Sequence, residues 1–338
     1  MDAIIVEGLG KDYSRRLRQG GLWGAVKGVF NSVRETVPAV RDLSFRVSPG
    51  EQVGLIGENG AGKSTTVKML CGILLPSRGR LEVLGLKPWK QRRKLAARIG
   101  VVFGQKPQLL WDIPVRETFT LLKEMYGVPA AVFDKTYPKI ISLLDLEPLL
   151  SSPVRQLSLG QRMRCDLGAA LLHAPDLVFL DEPTIGLDVV AKQQARELIR
   201  WLAREFGTTL ILTTHDLKDI TETCQRVILL DKGGLLFDGS LKSFEDSFAA
   251  ERRLVAELER PLTGEEERAL RTLSADRGLR VVEWGPGRVT LASESVPALN
   301  QAAALLLSGS ALAELDFERT EVEEIVRRIY SRRPGSRA

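Results

Sequence analysis

The feature that most restricts what this chain can fold into is a glycine-rich octapeptide, GENGAGKS, at residues 57–64. It fits the pattern GxxxxGK[ST], and it lies between a short apolar run at residues 53–56 and a segment with helical periodicity. Glycines let the backbone curl so that its N–H groups point inward at a helix N-terminus, where negative charge is favoured. The pattern therefore predicts a phosphate-binding loop, in which the Lys63 amine reaches phosphate oxygens and the Ser64 hydroxyl binds magnesium. A chance glycine-rich turn is the alternative, and the flanking strand and helix patterns argue against it.

Length and composition limit the class of protein further. The chain has 338 residues, of which 44% are hydrophobic and 27% charged, and this is typical of a folded chain of about two domains. Its three cysteines form no CxxC pair, which argues against a disulfide scaffold or a cysteine-rich zinc site. No apolar run approaches the roughly 18 residues of a membrane span, and the N-terminus does not resemble a signal peptide.

Three more apolar runs, at residues 177–180, 208–214 and 226–230, predict buried strands. Segments with helical periodicity, such as residues 191–206, separate them. Apolar strands that alternate with helices are typical of a doubly wound, parallel α/β sheet.

Two carboxylates, Asp181 and Glu182, end the strand predicted at residues 177–180. Neighbouring side chains on a strand point in different directions, so the two can serve different purposes. In phosphate chemistry Asp181 would hold the metal through its water shell, and Glu182 would orient the attacking water. A solvated acidic strand end is the alternative, and the phosphate loop upstream argues against it.

Two other polar residues follow predicted strands. His215 comes directly after residues 208–214, and Gln105 comes after the apolar residues 101–104. A buried structural histidine is the alternative for His215, and Gln105 alone is uninformative. The second histidine, His173, is expected on the surface or at a helix end.

A further segment, LSLGQ at residues 157–161, lies about twenty residues before Asp181, and Gly186, Leu187 and Asp188 follow that strand. With the phosphate loop, Gln105, Asp181, Glu182 and His215 in this order, residues 3–245 resemble the ATP-binding subunit of an ABC transporter. The segment resembles the LSGGQ signature of that family, with Leu159 where glycine is usual and with Ser158 and Gly160 retained.

The resemblance implies a P-loop ABC-type nucleotide-binding domain over residues 1–245, with a helical subdomain at about 107–170. It also implies ATP and Mg²⁺ as cofactors. Two copies, or this chain and a similar ATPase, would pair head to tail, with each ATP between the phosphate loop of one and the signature of the other. The ATP-binding residues that it implies are Gly57, Glu58, Asn59, Gly60, Ala61, Gly62, Lys63, Ser64, Thr65 and Tyr13. The residues that would contact the ATP of the partner are Ser158, Leu159, Gly160, Gln161 and Asp188.

The same resemblance implies roles for the remaining residues. Glu182, His215 and Gln105 would be catalytic: His215 would bond the γ-phosphate, and Gln105 would contact the metal and the water while linking the site to the membrane subunit. Ser64, Gln105 and Asp181 would hold the metal. Asp188 would connect the two ATP sites, and Tyr13 would stack on adenine.

Residues 103–105, 110–114 and 157–165 resemble those of ABC-2-type exporters of the daunorubicin and viologen kind. This implies export through separate ABC-2-type membrane permease subunits, with the chain bound peripherally at the cytoplasmic face of the cell membrane. The alternatives are an importer ATPase, a non-transport ABC ATPase that acts on nucleic acid, and a non-catalytic scaffold. The chain has neither the long coiled coils nor the tandem cores usual in the nucleic-acid class, and Lys63, Glu182 and His215 argue against the scaffold.

The net charge of +5 comes from two local patches. Residues 11–37 hold six basic and two acidic side chains, and residues 83–98 hold six basic and none acidic. Within the first patch, Leu22, Val26, Val29, Phe30 and Val33 recur at helical spacing and predict an amphipathic helix. Residues 15–37 would contact the membrane surface or the permease, or else pack on their own domain. The second patch is interpreted as a solvated basic surface, and no nucleic-acid partner is expected.

Residues 251–330 have a different texture and predict a small ferredoxin-like α+β domain, with the order βαββαβ and then a last helix from Thr320. Thr263 with Glu266 predicts a capping box, and residues 285–287 predict a hairpin turn. The domain would bind a regulator or help dimerisation, or else serve stability and docking. Residues 331–338 are predicted to form a basic, flexible tail.

Overall fold

The computed structural model describes residues 2–16, 34–103, 108–214, 216–248, 252–309 and 312–319. Contacts between residues divide the chain into two compact units, residues 1–241 and 242–338. No helix in the described part is both long and apolar enough to cross a membrane.

The first unit is built on a six-stranded sheet with the order β5-β6-β7-β3-β8-β9. The strands are β3 (Gln52–Gly57), β5 (Ile99–Phe103), β6 (Leu177–Asp181), β7 (Thr209–Thr213), β8 (Arg226–Asp231) and β9 (Gly234–Ser240). The first five are parallel, as predicted, and β9 joins the edge antiparallel to β8. Since β3 and β6 both flank β7, the phosphate loop and the Asp181–Glu182 pair emerge at the same end of the sheet.

Helices cover this sheet because its strands are apolar on both faces. The helices of the first unit are α1 (Lys63–Leu70), α2 (Arg92–Ala96), α3 (Val115–Tyr126), α4 (Ala130–Leu143), α5 (Leu159–Leu171), α6 (Val189–Phe206) and α7 (Leu217–Thr223). A further helix, α8 (Leu241–Phe248), begins at the last residue of this unit. Leu55, Phe179, Ile211 and Ile228 lie in the buried core.

A second, antiparallel sheet has the order β2-β1-β4, from β1 (Ile4–Arg16), β2 (Arg34–Val47) and β4 (Arg78–Val83). The pairing of β1 with β2 continues out to Arg16 opposite Arg34. Residues 15, 16 and 34–37, the two ends of the segment predicted to contact the membrane or the permease, are therefore paired strands and not helix. Leu22, Val26, Val29, Phe30 and Val33 lie outside the described residues.

Helices α3, α4 and α5 pack together around Gly168, where an added Cβ would lie 2.8 Å from Ile140 Cγ2. His173 follows α5, and its ring stacks on that of Tyr126 with a centroid separation of 4.1 Å. Burial lowers the pKa of His173 to about 4. The predicted helix-end position of His173 is confirmed, and the residue is half-buried because an aromatic partner distant in sequence covers its ring.

The described part of the second unit contains a four-stranded antiparallel sheet with the order β11-β12-β10-β13 and, besides α8, two helices. Its elements are β10 (Arg252–Leu258), α9 (Gly264–Arg277), β11 (Arg280–Trp284), β12 (Arg288–Ser293), α10 (Val296–Ser308) and β13 (Leu312–Arg319). This βαββαβ succession with β10 and β12 in the centre is the arrangement of a ferredoxin-like sandwich. The Thr263–Glu266 capping box is formed at the start of α9. The helix predicted from Thr320 and the basic tail lie outside the described residues.

Candidate functional site

The phosphate loop leaves β3 at Gly57 and enters α1 at Lys63. Gly62, the N-cap of α1, has a φ of 100°, and a Cβ there would lie 2.7 Å from the backbone oxygen of Ala39. Only glycine combines that conformation with that close approach. The loop thereby leaves the N–H groups of the first turn of α1 without intrahelical partners, and these are the donors that an anion needs.

Lys63 is 7% exposed, and its side chain folds back over the loop. Its amine donates hydrogen bonds to the backbone oxygens of Gly57 at 2.6 Å and Glu58 at 3.1 Å. Burial lowers the pKa of this amine, while the carboxylates of Glu182, Asp181 and Glu58 act in the opposite direction. An ammonium group that is buried among neutral carbonyls is suited to bind a polyanion.

Asp181 is the last residue of β6, and its carboxylate accepts hydrogen bonds from two hydroxyls. The Ser64 hydroxyl lies 3.3 Å from Asp181 Oδ1, although the two residues are 117 positions apart in the sequence. The second donor is Thr213, the last residue of β7. Thr213 was not predicted as a site residue, because its only signal in the sequence is a polar side chain at the carboxyl end of a buried strand.

The Ser64 and Asp181 oxygens fit a magnesium ion by donor type, because Mg²⁺ prefers oxygen ligands and usually takes one or two carboxylates together with substrate phosphates. Among the residues that the structure describes, no group of three or more His, Cys, Asp or Glu side chains is placed to hold a metal ion.

Glu182 has a left-handed backbone with a φ of 58°, which is unusual for a residue with a side chain. Its N–H donates to the backbone oxygen of Thr213 at 2.9 Å, and this bond turns the chain away from the strand direction of Asp181. Such a conformation costs on the order of 1–2 kcal/mol per residue, so the neighbouring structure must hold it in place.

A cavity of about 600 Å³ lies at this end of the sheet, a volume within the usual range for small-molecule sites. Lys63, Ser64, Asp181 and Glu182 all contribute to its wall. The remaining lining residues are Ala39, Glu58, Asn59, Gly60, Gly62, Thr65, Lys68, Ile73, Phe103 and Ile185. Tyr13, whose side chain is 41% exposed on β1, is not among the residues that line this cavity.

Gln105 and His215 lie outside the described residues. Their chain neighbours are placed: Phe103 pairs with Asp181 across β5 and β6, and Asp181 pairs with Thr213 across β6 and β7. Strands β5 and β7 therefore end on the side of the sheet where the cavity lies.

Ser158 caps α5, with its hydroxyl 3.3 Å from the N–H of Gln161, and the Gln161 side chain accepts from the N–H of Ser158 at 2.9 Å. Leu159 is 53% exposed, and a Cβ on Gly186 would meet its Cδ2 at 2.8 Å, so it packs directly over the Gly186 loop. Asp188 caps α6 by accepting from the N–H of Ala191 at 2.8 Å. None of the residues 158–161, nor Asp188, is among those that line the cavity.

Comparisons with known proteins agree with this geometry. Residues 40–185 match the family model described as ABC transporter. The chain is 32% identical over 222 residues to the ABC transporter ATP-binding protein NatA of Bacillus subtilis, a match that covers 66% of this chain and 90% of NatA. It is 38% identical over 202 residues to the Nod factor export ATP-binding protein I of Paraburkholderia xenovorans, over 60% of this chain and 66% of that protein.

Among solved structures, an ATP-binding subunit of an ABC transporter is similar with a TM-score of 0.60 and 26% identity, over 73% of this chain and 93% of the other. An ATP-binding cassette solved as a dimer with ADP and phosphate is similar with a TM-score of 0.58 and 23% identity, over 70% of this chain and 98% of the other. These likenesses confirm the predicted P-loop ABC-type fold of the first unit.

Proposed function

This chain belongs to the family of ABC transporter ATP-binding proteins and hydrolyses ATP, and we propose that the hydrolysis drives export of a substrate through separate ABC-2-type membrane subunits. The observation that carries the direction of transport is the 38% identity to a protein named for Nod factor export. That match spans about two thirds of the relative, so its own substrate is not transferred to this chain.

In the proposed mechanism the N–H groups of the phosphate loop bind the phosphates of ATP, and the buried Lys63 amine reaches the β- and γ-phosphates. Ser64 and Asp181 would hold Mg²⁺, which neutralises developing charge on the phosphates. The 3.3 Å between their oxygens supports this pairing. Glu182 orients the attacking water, and Thr213 fixes the Asp181 carboxylate through a charge-assisted hydrogen bond. The predicted roles of Gln105 and His215 belong to the same proposal.

The signature residues act on the ATP of a second copy in a head-to-tail dimer. Ser158 and the N–H of Gly160 stand in the first turn of α5, where the helix dipole favours a γ-phosphate. Because residues 158–161 and Asp188 are not among the lining residues of the cavity in their own chain, they are free to serve a site on a partner. The stacking of Tyr13 on adenine is part of the same proposal.

The proposed location is the cytoplasmic face of the cell membrane, where the chain would be bound peripherally to its permease. The test is purification of the tagged full-length chain from a mild detergent extract of its own cells. A stoichiometric multi-span membrane protein is the expected result. Recovery of nucleic acid instead would contradict the proposal, and recovery of a complex with an extracellular substrate-binding protein would favour an importer.

Contact of residues 15–37 with the membrane surface can be tested separately by liposome flotation. Since residues 15, 16 and 34–37 are in paired strands, the deletion is best confined to residues 17–33, with a two-residue Asn-Gly turn inserted to join Arg16 to Arg34. The full-length chain should float with anionic vesicles more than the deleted chain does. Equal recovery of both would contradict membrane contact by this segment.

A further inference from the structure

A buried carboxylate outside the nucleotide cavity joins the segments that carry the proposed catalytic residues. Asp219, on α7, is 1% exposed, and its carboxylate accepts three hydrogen bonds. Its Oδ2 accepts from the hydroxyls of Thr184 at 2.6 Å and Thr214 at 3.2 Å. Its Oδ1 accepts from Arg196 Nε at 2.8 Å, and Arg196 Nη2 lies 2.6 Å from the same oxygen in an ion pair.

The donors come from three different parts of the chain. Thr184 lies two residues after Glu182, Thr214 directly precedes His215, and Arg196 belongs to α6, the helix that Asp188 caps. A single carboxylate therefore fixes the relative positions of the loop after β6, the loop after β7 and helix α6.

Stability alone does not explain this arrangement. A buried ion pair is often no more stabilising than a well-packed apolar pair, because both charges lose their hydration. An apolar pair, however, could not hold two hydroxyls from separate loops at fixed distances. Charge-assisted hydrogen bonds are short and directional, and this is the property needed to position a loop.

We propose that Asp219 is a positioning residue for ATP hydrolysis, which sets the placement of Glu182 through Thr184 and holds the end of the β7 segment through Thr214. The proposal rests on the proposed role of Glu182. It makes Asp219 part of the device that holds the left-handed Glu182 in place, two residues before Thr184.

The test is Asp219→Asn, which keeps the size of the side chain and removes its charge. Arg196 retains carboxylate partners in this variant, since Glu222 Oε1 lies 3.3 Å and Asp216 Oδ2 3.9 Å from its guanidinium. We expect kcat for ATP hydrolysis to fall about 30-fold, in line with loss of charge-assisted bonds at a catalytic loop, while KM for ATP changes less than about twofold. KM is preserved because the variant does not touch the phosphate loop.

If Asp219 acts through the hydroxyls of Thr184 and Thr214, the effects of the Asp219 and threonine variants on kcat should be coupled. Thr184→Val and Thr214→Val should each lower kcat, and each should be non-additive in kcat with Asp219→Asn. The matched control is Thr136→Val, a buried threonine of α4 whose hydroxyl donates to the backbone oxygen of Leu172 at 2.8 Å. It should lower the melting temperature with kcat unchanged, and its effects should add to those of Asp219→Asn.

A kcat of Asp219→Asn near that of the wild type, or a rise in KM as large as the fall in kcat, would overturn the proposal. Simple additivity of the Thr184 and Thr214 variants with Asp219→Asn would do the same. If Asp219→Asn does not fold, the two threonine variants decide the question by their kcat and KM. Glu182→Gln separates the two proposals. If Glu182→Gln retains ATP turnover, the proposed function fails. If Glu182→Gln loses turnover while Asp219→Asn keeps normal turnover, only the proposed role of Asp219 fails.

Discussion

The pH dependence of stability should carry the signature of one buried carboxyl group, Asp166 on α5. This side chain is 4% exposed, and its Oδ1 accepts hydrogen bonds from the backbone N–H groups of Gln108 at 2.8 Å and Leu109 at 3.3 Å. Burial raises the pKa of Asp166 from 3.8 to about 6, against the opposing effects of these two bonds and of Arg162. The folded protein therefore holds a proton on Asp166 at pH values where the unfolded chain has released it.

The sign and size of the effect follow from linkage. Between pH 3.8 and about 6 the native state binds more protons at this site than the unfolded state, so the free energy of unfolding falls as pH rises. The full difference is about 3 kcal/mol, from roughly two pKa units at 1.36 kcal/mol each. About 1.4 kcal/mol of it is lost between about pH 5 and about pH 7.5.

The perturbation is Asp166→Asn, whose side-chain oxygen can still accept from Gln108 and Leu109 but which cannot ionise. Urea unfolding of the variant and the wild type, at about pH 5 and about pH 7.5, gives the two differences in free energy. The variant should gain about 1.4 kcal/mol on the wild type over this interval. Asp134→Asn, an exposed aspartate on α4, controls for loss of a surface carboxyl. If the free energies of unfolding of the wild type and Asp166→Asn differ by the same amount at both pH values, the pKa of Asp166 is not raised in the folded protein.

Three further predictions concern single contacts. Gly62→Ala should abolish ATP binding, because the φ of 100° and the 2.7 Å approach to the Ala39 oxygen leave no room for a Cβ. Binding is measured by titration with a fluorescent nucleotide, and an affinity within threefold of that of the wild type would contradict this prediction. Thr213→Val removes the hydroxyl that holds Asp181 and should lower kcat about tenfold, and a normal kcat at saturating Mg²⁺ would count against it. Gly168→Ala should lower the free energy of unfolding in urea by about 1–3 kcal/mol, because the added methyl group overpacks the core between α3, α4 and α5. An unchanged urea midpoint would show that neighbouring side chains move to accommodate the methyl group.

The parts of the site that sequence could predict are those set by local pattern and by strand order. GENGAGKS predicts its own turn, because glycine positions and the flanking strand and helix determine the loop conformation. The approach of Ser64 to Asp181 also follows, since parallel strands place their carboxyl ends at one edge of the sheet.

The remaining features depend on contacts between residues far apart in sequence. Nothing local marks Thr213 as the partner of Asp181, or Asp219 as the acceptor for two threonines and Arg196. The left-handed Glu182 depends on a hydrogen bond to the neighbouring strand. Residues 34–37 are strand through their pairing with β1, and no pattern within these four residues indicates it.

The proposed role of Glu182, activation of water for ATP hydrolysis in a head-to-tail dimer, is tested by Glu182→Gln. ATP turnover, ATP affinity and ATP-dependent dimerisation should be measured on the same preparation, with Glu197→Gln on the exposed face of α6 as the control. We expect Glu182→Gln to bind ATP as tightly as the wild type and to accumulate as a dimer with ATP. Its turnover should fall at least about 100-fold. Near-normal turnover, or failure to dimerise in the presence of ATP, would contradict this role of Glu182.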